Sequence, residues 1–225
     1  MSSTRLRTAA GLAAVAVLTS ACHPAAAGTA PTASGPAAGS TAYSIPAAVT
    51  ALAGLQVAPA DTGAHYNRAD WPHWSTVPGS PCDSREMTLK TQGTGVTTGA
   101  GCAITGGKWT SPYDGVSTTD ARVLDIDHMV PLAEVARSGR IDGGRRVGPR
   151  DWTRAQRQHY ANDPSVLVAV TLTSNRQKGD SDPAGWLPKH DRCDYVAHWV
   201  AVKAAYSLSV DQAEHDAIAA VLAHC

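Results

Sequence analysis

Asp127 and His128 stand side by side, and the string Ser174-Asn-Arg-Gln-Lys-Gly-Asp180 brings Asn175 and Lys178 some 47 residues later. An Asp beside a His at a strand end, with an Asn and a Lys opening a helix after the next strand, can assemble a hydrolytic metal site. Asp127 and Asn175 supply the hard oxygen ligands that magnesium prefers, and water with a substrate phosphate would complete the shell. His128, if near its unperturbed pKa of about 6.5, takes a proton from water at neutral pH.

Two strands and a helix must position these groups. Val123-Leu-Asp-Ile-Asp127 alternates apolar and acidic residues as a half-exposed strand does, whereas Val166-Leu-Val-Ala-Val-Thr171 is the continuous β-branched run of a buried strand. Ser174 caps a short helix that begins at Asn175. Asp125 is expected to face away from Asp127, in a cap or an ion pair. Further helices are predicted over 131–137, over 151–160 with Asp151 as cap, over 194–206 and from Val210 through Leu222. Upstream, residues 87–91 and 103–109 read as short strands of a hairpin. Residues 111–115 form a turn in which Pro presets one dihedral and Gly permits a positive one. Residues 65–74 are rich in aromatics and turn formers and pack as an irregular segment.

The chain has 225 residues, with 19 Lys and Arg balanced by 19 Asp and Glu. Zero net charge removes the basic signature by which many nucleic-acid binders attract their ligand, so any such activity belongs to a local site. Composition shifts along the chain. Residues 1–22 carry Arg5 and Arg7, a short apolar run and small residues before Cys22, the marks of an export signal too short to span a bilayer. Two cleavage readings stand. Leu18-Thr-Ser-Ala-Cys22 resembles a lipobox that would lipidate Cys22, and Ala25-Ala-Ala27 offers an ordinary signal-peptidase site. Residues 23–60 are rich in Ala, Pro, Gly, Ser and Thr and hold no charged residue, which reads as a flexible linker with a short helix at 45–55. The folded domain is then 61–225. The protein is expected to be secreted, or held outside the cytoplasmic membrane as a lipoprotein.

Apart from Cys22, four cysteines remain: Cys82, Cys102, Cys193 and Cys225. An even number in an exported domain reads as two disulfides, with three pairings open. The local choice joins Cys82 to Cys102 and Cys193 to Cys225. A zinc site is the rival reading, but no C-x-x-C pair occurs.

Leu124-Asp-Ile-Asp-His-Met-Val-Pro131 together with the later Ser-Asn-Arg-x-Lys-Gly-Asp string resembles the HNH, or ββα-metal, nuclease motif. The stretch 66–225 is similar to secreted actinobacterial HNH endonuclease-family proteins related to the carboxy-terminal domain of GmrSD-type restriction enzymes. The resemblance implies an α+β domain with an HNH core, an amino-terminal disulfide-stapled β-hairpin and carboxy-terminal helices. It makes His128 the general base, Asp127 and Asn175 the ligands of a divalent metal, magnesium before manganese, and Lys178 a point charge on the phosphate. The substrate would be nucleic acid, DNA before RNA, cleaved to leave a 5′-phosphate. Where the usual pattern often carries a second His, this chain has Lys178, which favours a one-metal site. The alternative is an extracellular or envelope nucleic-acid-binding protein that keeps the scaffold without turnover. No protein partner is indicated, and a membrane enters only through a lipid on Cys22.

Other residues carry two readings each. Arg85 and Arg176 can reach a phosphate, or serve in structural ion pairs. Glu134 can orient water near His128, or sit on a solvated helix face. Trp186 is expected to bury against the motif rather than stack on a base. The arginines at 140, 145, 146, 150, 154 and 157 can follow a nucleic-acid backbone, with a solvated loop and helix as the plainer reading.

Overall fold

The computed structural model describes residues 43–225. The expected export signal at 1–22, the lipidation of Cys22 and linker residues 23–42 lie outside the described residues. Helix α1 (Ile45–Gly54) comes first, then α2 (Ser84–Gln92), strands β1 (Thr94–Thr98), β2 (Ile104–Thr110), β3 (Ser117–Thr118) and β4 (Leu124–His128), and helix α3 (Leu132–Arg137). They are followed by β5 (Arg140–Asp142), β6 (Arg145–Val147), α4 (Arg154–Asn162), β7 (Leu167–Thr171), α5 (Leu172–Lys178), α6 (Arg192–Ala205) and α7 (Gln212–Leu222). The strands form three small antiparallel sheets, ordered β1-β2-β3, β4-β7 and β5-β6. The architecture is thus mixed α and β, with two disulfides.

The β4-β7 pair sits at the centre because apolar residues cover both of its faces. Val168 and Val170 join a large cluster with Val130, Tyr160, Val196 and Trp199. Leu124, Ile126, Leu167 and Ala169 belong to a second cluster with Leu89 of α2 and Trp109 of β2. A sheet covered on both sides needs the continuous apolar run seen in β7. The open edge of β7 is satisfied by one side chain. Gln92 Nε2 donates to the Leu167 carbonyl at 2.8 Å, and the Ala169 amide donates to Gln92 Oε1 at 2.8 Å. The amide of Gln92 thereby replaces a neighbouring strand.

Both disulfides follow the local pairing, Cys82 with Cys102 and Cys193 with Cys225, at Cα separations of 5.1 and 5.8 Å. Several expected elements change. Residues 87–91 are helical, because Asp83 and Glu86 form a reciprocal capping box at the start of α2. The hairpin is β1 with β2, and its bridge ties Cys102 in the turn to Cys82 just before α2 instead of joining the two strands. Thr171, not Ser174, caps α5, so that helix begins at Leu172. Thr153 rather than Asp151 caps α4. The basic stretch after α3 is the hairpin β5-β6, whose turn residues Gly143 and Gly144 take φ of 54° and 78°.

The domain also starts earlier than Asp61. Ala48 and Leu52 of α1 are buried in the main cluster. The Ala58 amide donates to the Val210 carbonyl at 2.8 Å, and Gln56 exchanges two hydrogen bonds with the backbone of Ile141. A segment of small residues is folded here because α6 supplies the apolar face that α1 cannot build alone.

Glu134 is buried, contrary to either expected reading. Its carboxylate takes Lys203 Nζ at 2.7 Å and Arg137 Nε at 2.6 Å. Lys203 is fully buried and also meets Glu214 at 2.9 Å, the Ser138 hydroxyl and the Ser209 carbonyl. Burial pushes the Glu214 carboxyl up to about 7. Removing the cation strands two acids in the core. Lys203→Met is expected to lose about 3–5 kcal/mol in denaturant unfolding; a loss below about 1 kcal/mol would mean that the three groups do not act as a charged unit.

Candidate active site

In the register of the central pair Asp125 lies opposite Val170, Asp127 opposite Val168 and His128 opposite Leu167. Helix α5 leaves the end of β7 at once and runs back along β4. Residues two apart on a strand share a face and lie about 6.6 Å apart, while residues three apart on a helix rise about 4.5 Å. The two repeats come nearly into step. Asn175 Nδ2 donates to Asp125 Oδ2 at 3.1 Å, and Lys178 Nζ meets Asp127 Oδ2 at 2.5 Å. Asp125 therefore faces α5 together with Asp127 and does not turn away.

Lys178 is wholly buried. It donates to Asp127 and, at 2.8 Å, to the His128 carbonyl, and it lies 5.9 Å from the ring centres of Tyr113 and Trp199. An ammonium sealed in this way cannot touch a phosphate. Its expected role as a phosphate contact is replaced by a positioning one, fixing the end of β4 against the end of α5. Tyr113 Oη donates to the same Asp127 oxygen at 2.6 Å. Burial pushes the Asp127 carboxyl up and the Lys178 amine down, and their mutual attraction opposes both shifts.

The turn at 111–115 does more than reverse the chain. It delivers Tyr113 to Asp127, while Asp114 accepts from the Thr171 hydroxyl at 2.5 Å and the Ser174 hydroxyl at 2.7 Å. One loop thus holds both halves of the site. The signal was present in the sequence as a Tyr-Asp pair inside a turn, but turn chemistry alone did not reveal its distant partners.

His128 is 5% exposed. Its Nε2 lies 3.0 Å from the Ala161 carbonyl. A carbonyl only accepts, so Nε2 carries the proton and Nδ1 keeps its lone pair. Among the described residues Nδ1 has no hydrogen-bond partner. Trp74 stacks on the imidazole at 6.0 Å, with its own backbone at φ 58°, a conformation unusual for a bulky residue. Burial is the main cause that lowers the His128 pKa to about 3, with the positive charges of Arg68 and Lys178 adding to it. The expected value near 6.5 is corrected accordingly. The ring is neutral throughout the neutral range. It is a weaker base than expected, but always in the form that can accept a proton.

Asp127, His128 and Asn175 line one cleft of about 370 Å³ with Tyr66, Arg68 and Asp180. A larger groove of about 740 Å³, lined by residues such as Tyr43, Trp109 and His190, contains none of the three motif residues. Size therefore does not identify the site; the donor set does. Asp127 Oδ2 is occupied by Lys178 and Tyr113, which leaves Oδ1, and Asn175 uses its amide nitrogen on Asp125, which leaves its carbonyl oxygen. One carboxylate oxygen and one carboxamide oxygen on a shared cleft fit a magnesium ion that keeps most of its waters. The only His, Cys, Asp and Glu cluster with ligand spacing among the described residues is Cys82, Glu86 and Cys102, and its two sulfurs are bonded to each other.

The remaining expected contacts divide. Arg176 is exposed on α5. Arg85 is half-buried on α2 and its Nη2 reaches the Leu124 carbonyl at 3.4 Å, at the far end of β4 from His128. It is removed from the site, because that strand length separates it from the cleft. Arg146 donates to the Gly139 and Pro59 carbonyls, Arg150 pairs with Asp61 at 2.7 Å, and Arg157 lies over Trp71 at 5.9 Å. Arg154 donates to the Ala69 carbonyl at 3.3 Å, so four of the six arginines of the basic stretch contact the protein itself. Trp186 packs edge-on against Tyr113 and Tyr195, as expected of a core residue.

Residues 85–221 match the family of GmrSD restriction endonucleases, C-terminal domain, and the chain belongs to that family. It is 42% identical over 188 residues, 80% of this chain and 87% of the relative, to an uncharacterized secreted protein of Arthroderma benhamiae. No solved structure matches.

The histidine has a measurable signature. His128 is held at about 3 when folded and would titrate near about 6.5 when unfolded. The unfolded state then binds the extra proton between those values, so this contribution is full above about 6.5 and is lost as pH falls. His128→Gln should flatten the rise of unfolding free energy between about pH 4.5 and 6 by about 1.4 kcal/mol per pH unit. An unchanged slope would mean that His128 titrates normally in the folded protein.

Proposed function

We propose that this protein is an exported HNH endonuclease that hydrolyses phosphodiester bonds of nucleic acid, with DNA as its substrate and a divalent metal, magnesium or manganese, as cofactor. The observation that carries the reading is His128, whose Nε2 is pinned on the Ala161 carbonyl and which lines one cleft with Asp127 and Asn175. The antiparallel pair of β4 and β7, followed at once by α5, supports a ββα-metal core, and the family of restriction endonuclease domains supports a nuclease.

In this reading Nδ1 of His128 takes a proton from water as the water oxygen attacks phosphorus. The phosphorus bond to the leaving oxygen breaks, and that oxygen is protonated from solvent. Asp127 Oδ1 and the Asn175 carbonyl oxygen would hold the metal. When bound, the metal supplies stabilisation of the charge on the leaving oxygen and a clamp on the phosphate. Lys178 and Tyr113 keep Asp127 aimed at the cleft. Arg176, exposed on the same helix, is assigned to the nucleic-acid backbone.

Export, either as a secreted protein or through a lipid on Cys22, is supported by the two disulfides, which persist in oxidising compartments. A relative named as a secreted protein points the same way.

Purified mature protein is expected to nick supercoiled plasmid with magnesium or manganese and to stop when chelator is added. His128→Ala should stay folded, with a thermal midpoint lowered by the cavity and the unpaired Ala161 carbonyl, and lose activity by about 100-fold or more. With its folded pKa at about 3, the acid limb due to His128 should lie below pH 5. An equally active His128→Ala variant would remove His128 from the reaction. Metal-dependent binding of DNA without any product, across several metals, would favour a non-catalytic binding protein on the same scaffold.

A further inference from the structure

The segment ahead of α2 makes one wall of the cleft. Arg68 lines it together with His128, and its positive charge is one of the influences felt at the His128 ring. The side chain is exposed and has no carboxylate within ion-pair distance among the described residues. Arg176 is exposed on α5 but is not among the residues that line the cleft, and two other cations near the motif are committed elsewhere. Lys178 is sealed against Asp127, and Arg137 is shared between Glu134 and Asp180.

Arg68 is held in place from behind. Its Nη2 lies 3.3 Å from His73 Nε2, and His73 Nδ1 lies 2.9 Å from the Trp71 carbonyl. Because that carbonyl can only accept, Nδ1 carries the proton, and Nε2 offers its lone pair to the guanidinium. Trp71 is buried among Tyr66, Trp152 and Tyr160. The core thus fixes Trp71, Trp71 fixes His73, and His73 fixes Arg68. One N–H of the guanidinium is used in this way, and among the described residues the rest of its planar fork has no side-chain partner, so it can take a tetrahedral oxyanion.

We infer that Arg68 is a phosphate-binding residue of this cleft, that His73 is its positioning residue, and that the ligand is a backbone phosphate of polymeric nucleic acid beside the scissile bond. The inference rests on the nuclease reading of the cleft. It gives the cleft the exposed cation that Lys178 does not provide, from a residue ahead of 85–221, the span matched to the family.

The test measures binding of a short fluorescent DNA duplex across a salt series, with magnesium, in the His128→Ala background so that no turnover intervenes. Arg68→Ala should weaken binding about tenfold at low salt and reduce the slope of log affinity against log salt by about 0.9, the share of one phosphate. Arg68→Lys should recover the slope but only part of the affinity, since an ammonium lacks the fork. His73→Ala should weaken binding while keeping the slope, and His73→Gln, which offers both an acceptor and a donor, should restore it. Thermal unfolding of each variant checks the fold, and Arg68→Gln serves if the alanine variant is unstable. Affinity and slope unchanged in a folded Arg68→Ala or Arg68→Gln protein would overturn the inference while leaving the nuclease reading intact if the wild type cleaves. Failure of the His128→Ala protein to bind any nucleic acid would overturn both. Inorganic phosphate competing as well as the duplex would overturn the assignment to a polymer.

Discussion

One buried ammonium joins the two halves of the site. Lys178 Nζ reaches the carboxylate of Asp127 and the carbonyl of His128 from the last turn of α5, so it closes the strand, strand and helix unit at the open end of β4. Charges in an apolar core are tolerated only when paired and hydrogen-bonded, and here the pairing has a geometric use. It directs one oxygen of Asp127 inward and leaves the other for the cleft. It also fixes the carbonyl beside the imidazole, so Asp127, His128 and Asn175 meet on one surface.

The rest of the described chain braces that junction. The turn at 111–115 reaches Asp127 through Tyr113 and the start of α5 through Asp114. Ala161, at the end of α4, sets the tautomer of His128. Asp180 beside the cleft pairs with Arg137, Arg137 with Glu134, Glu134 with Lys203 and Lys203 with Glu214. This chain of charges connects α5 to the carboxy-terminal helices, and the bridge from Cys193 to Cys225 closes those helices in turn. A near-neutral protein can therefore hold a well-defined polar site, because the charges that brace it are paired locally.

The central strands were legible, and so was the meeting of Asp127, His128, Asn175 and Lys178 at their end, because those signals are local. β-branched residues at 166–171, alternation before His128 and an Asn-x-x-Lys spacing each point to one element. The cysteine pairing was legible for the same reason. What stayed hidden depends on distant partners. A carbonyl such as that of Ala161 carries no side-chain signal, and Lys178 looks like a surface cation until Tyr113 and Trp199 enclose it. The strand expected at 87–91 failed against a local cue that was present, the Asp83 and Glu86 capping box. The boundary at Asp61 failed because the small residues of α1 look linker-like without α6.

The proposed nuclease activity needs a cation held by Asp127 and Asn175, and metal binding by the folded protein tests that proposal without relying on a substrate. Manganese binding, followed by electron paramagnetic resonance or calorimetry, should saturate at one ion per chain. Asn175→Ala removes a half-buried side chain without opening the Lys178 pair, and it should weaken that binding by about tenfold or more with no loss of fold. Equal manganese affinity in the two proteins would contradict the account.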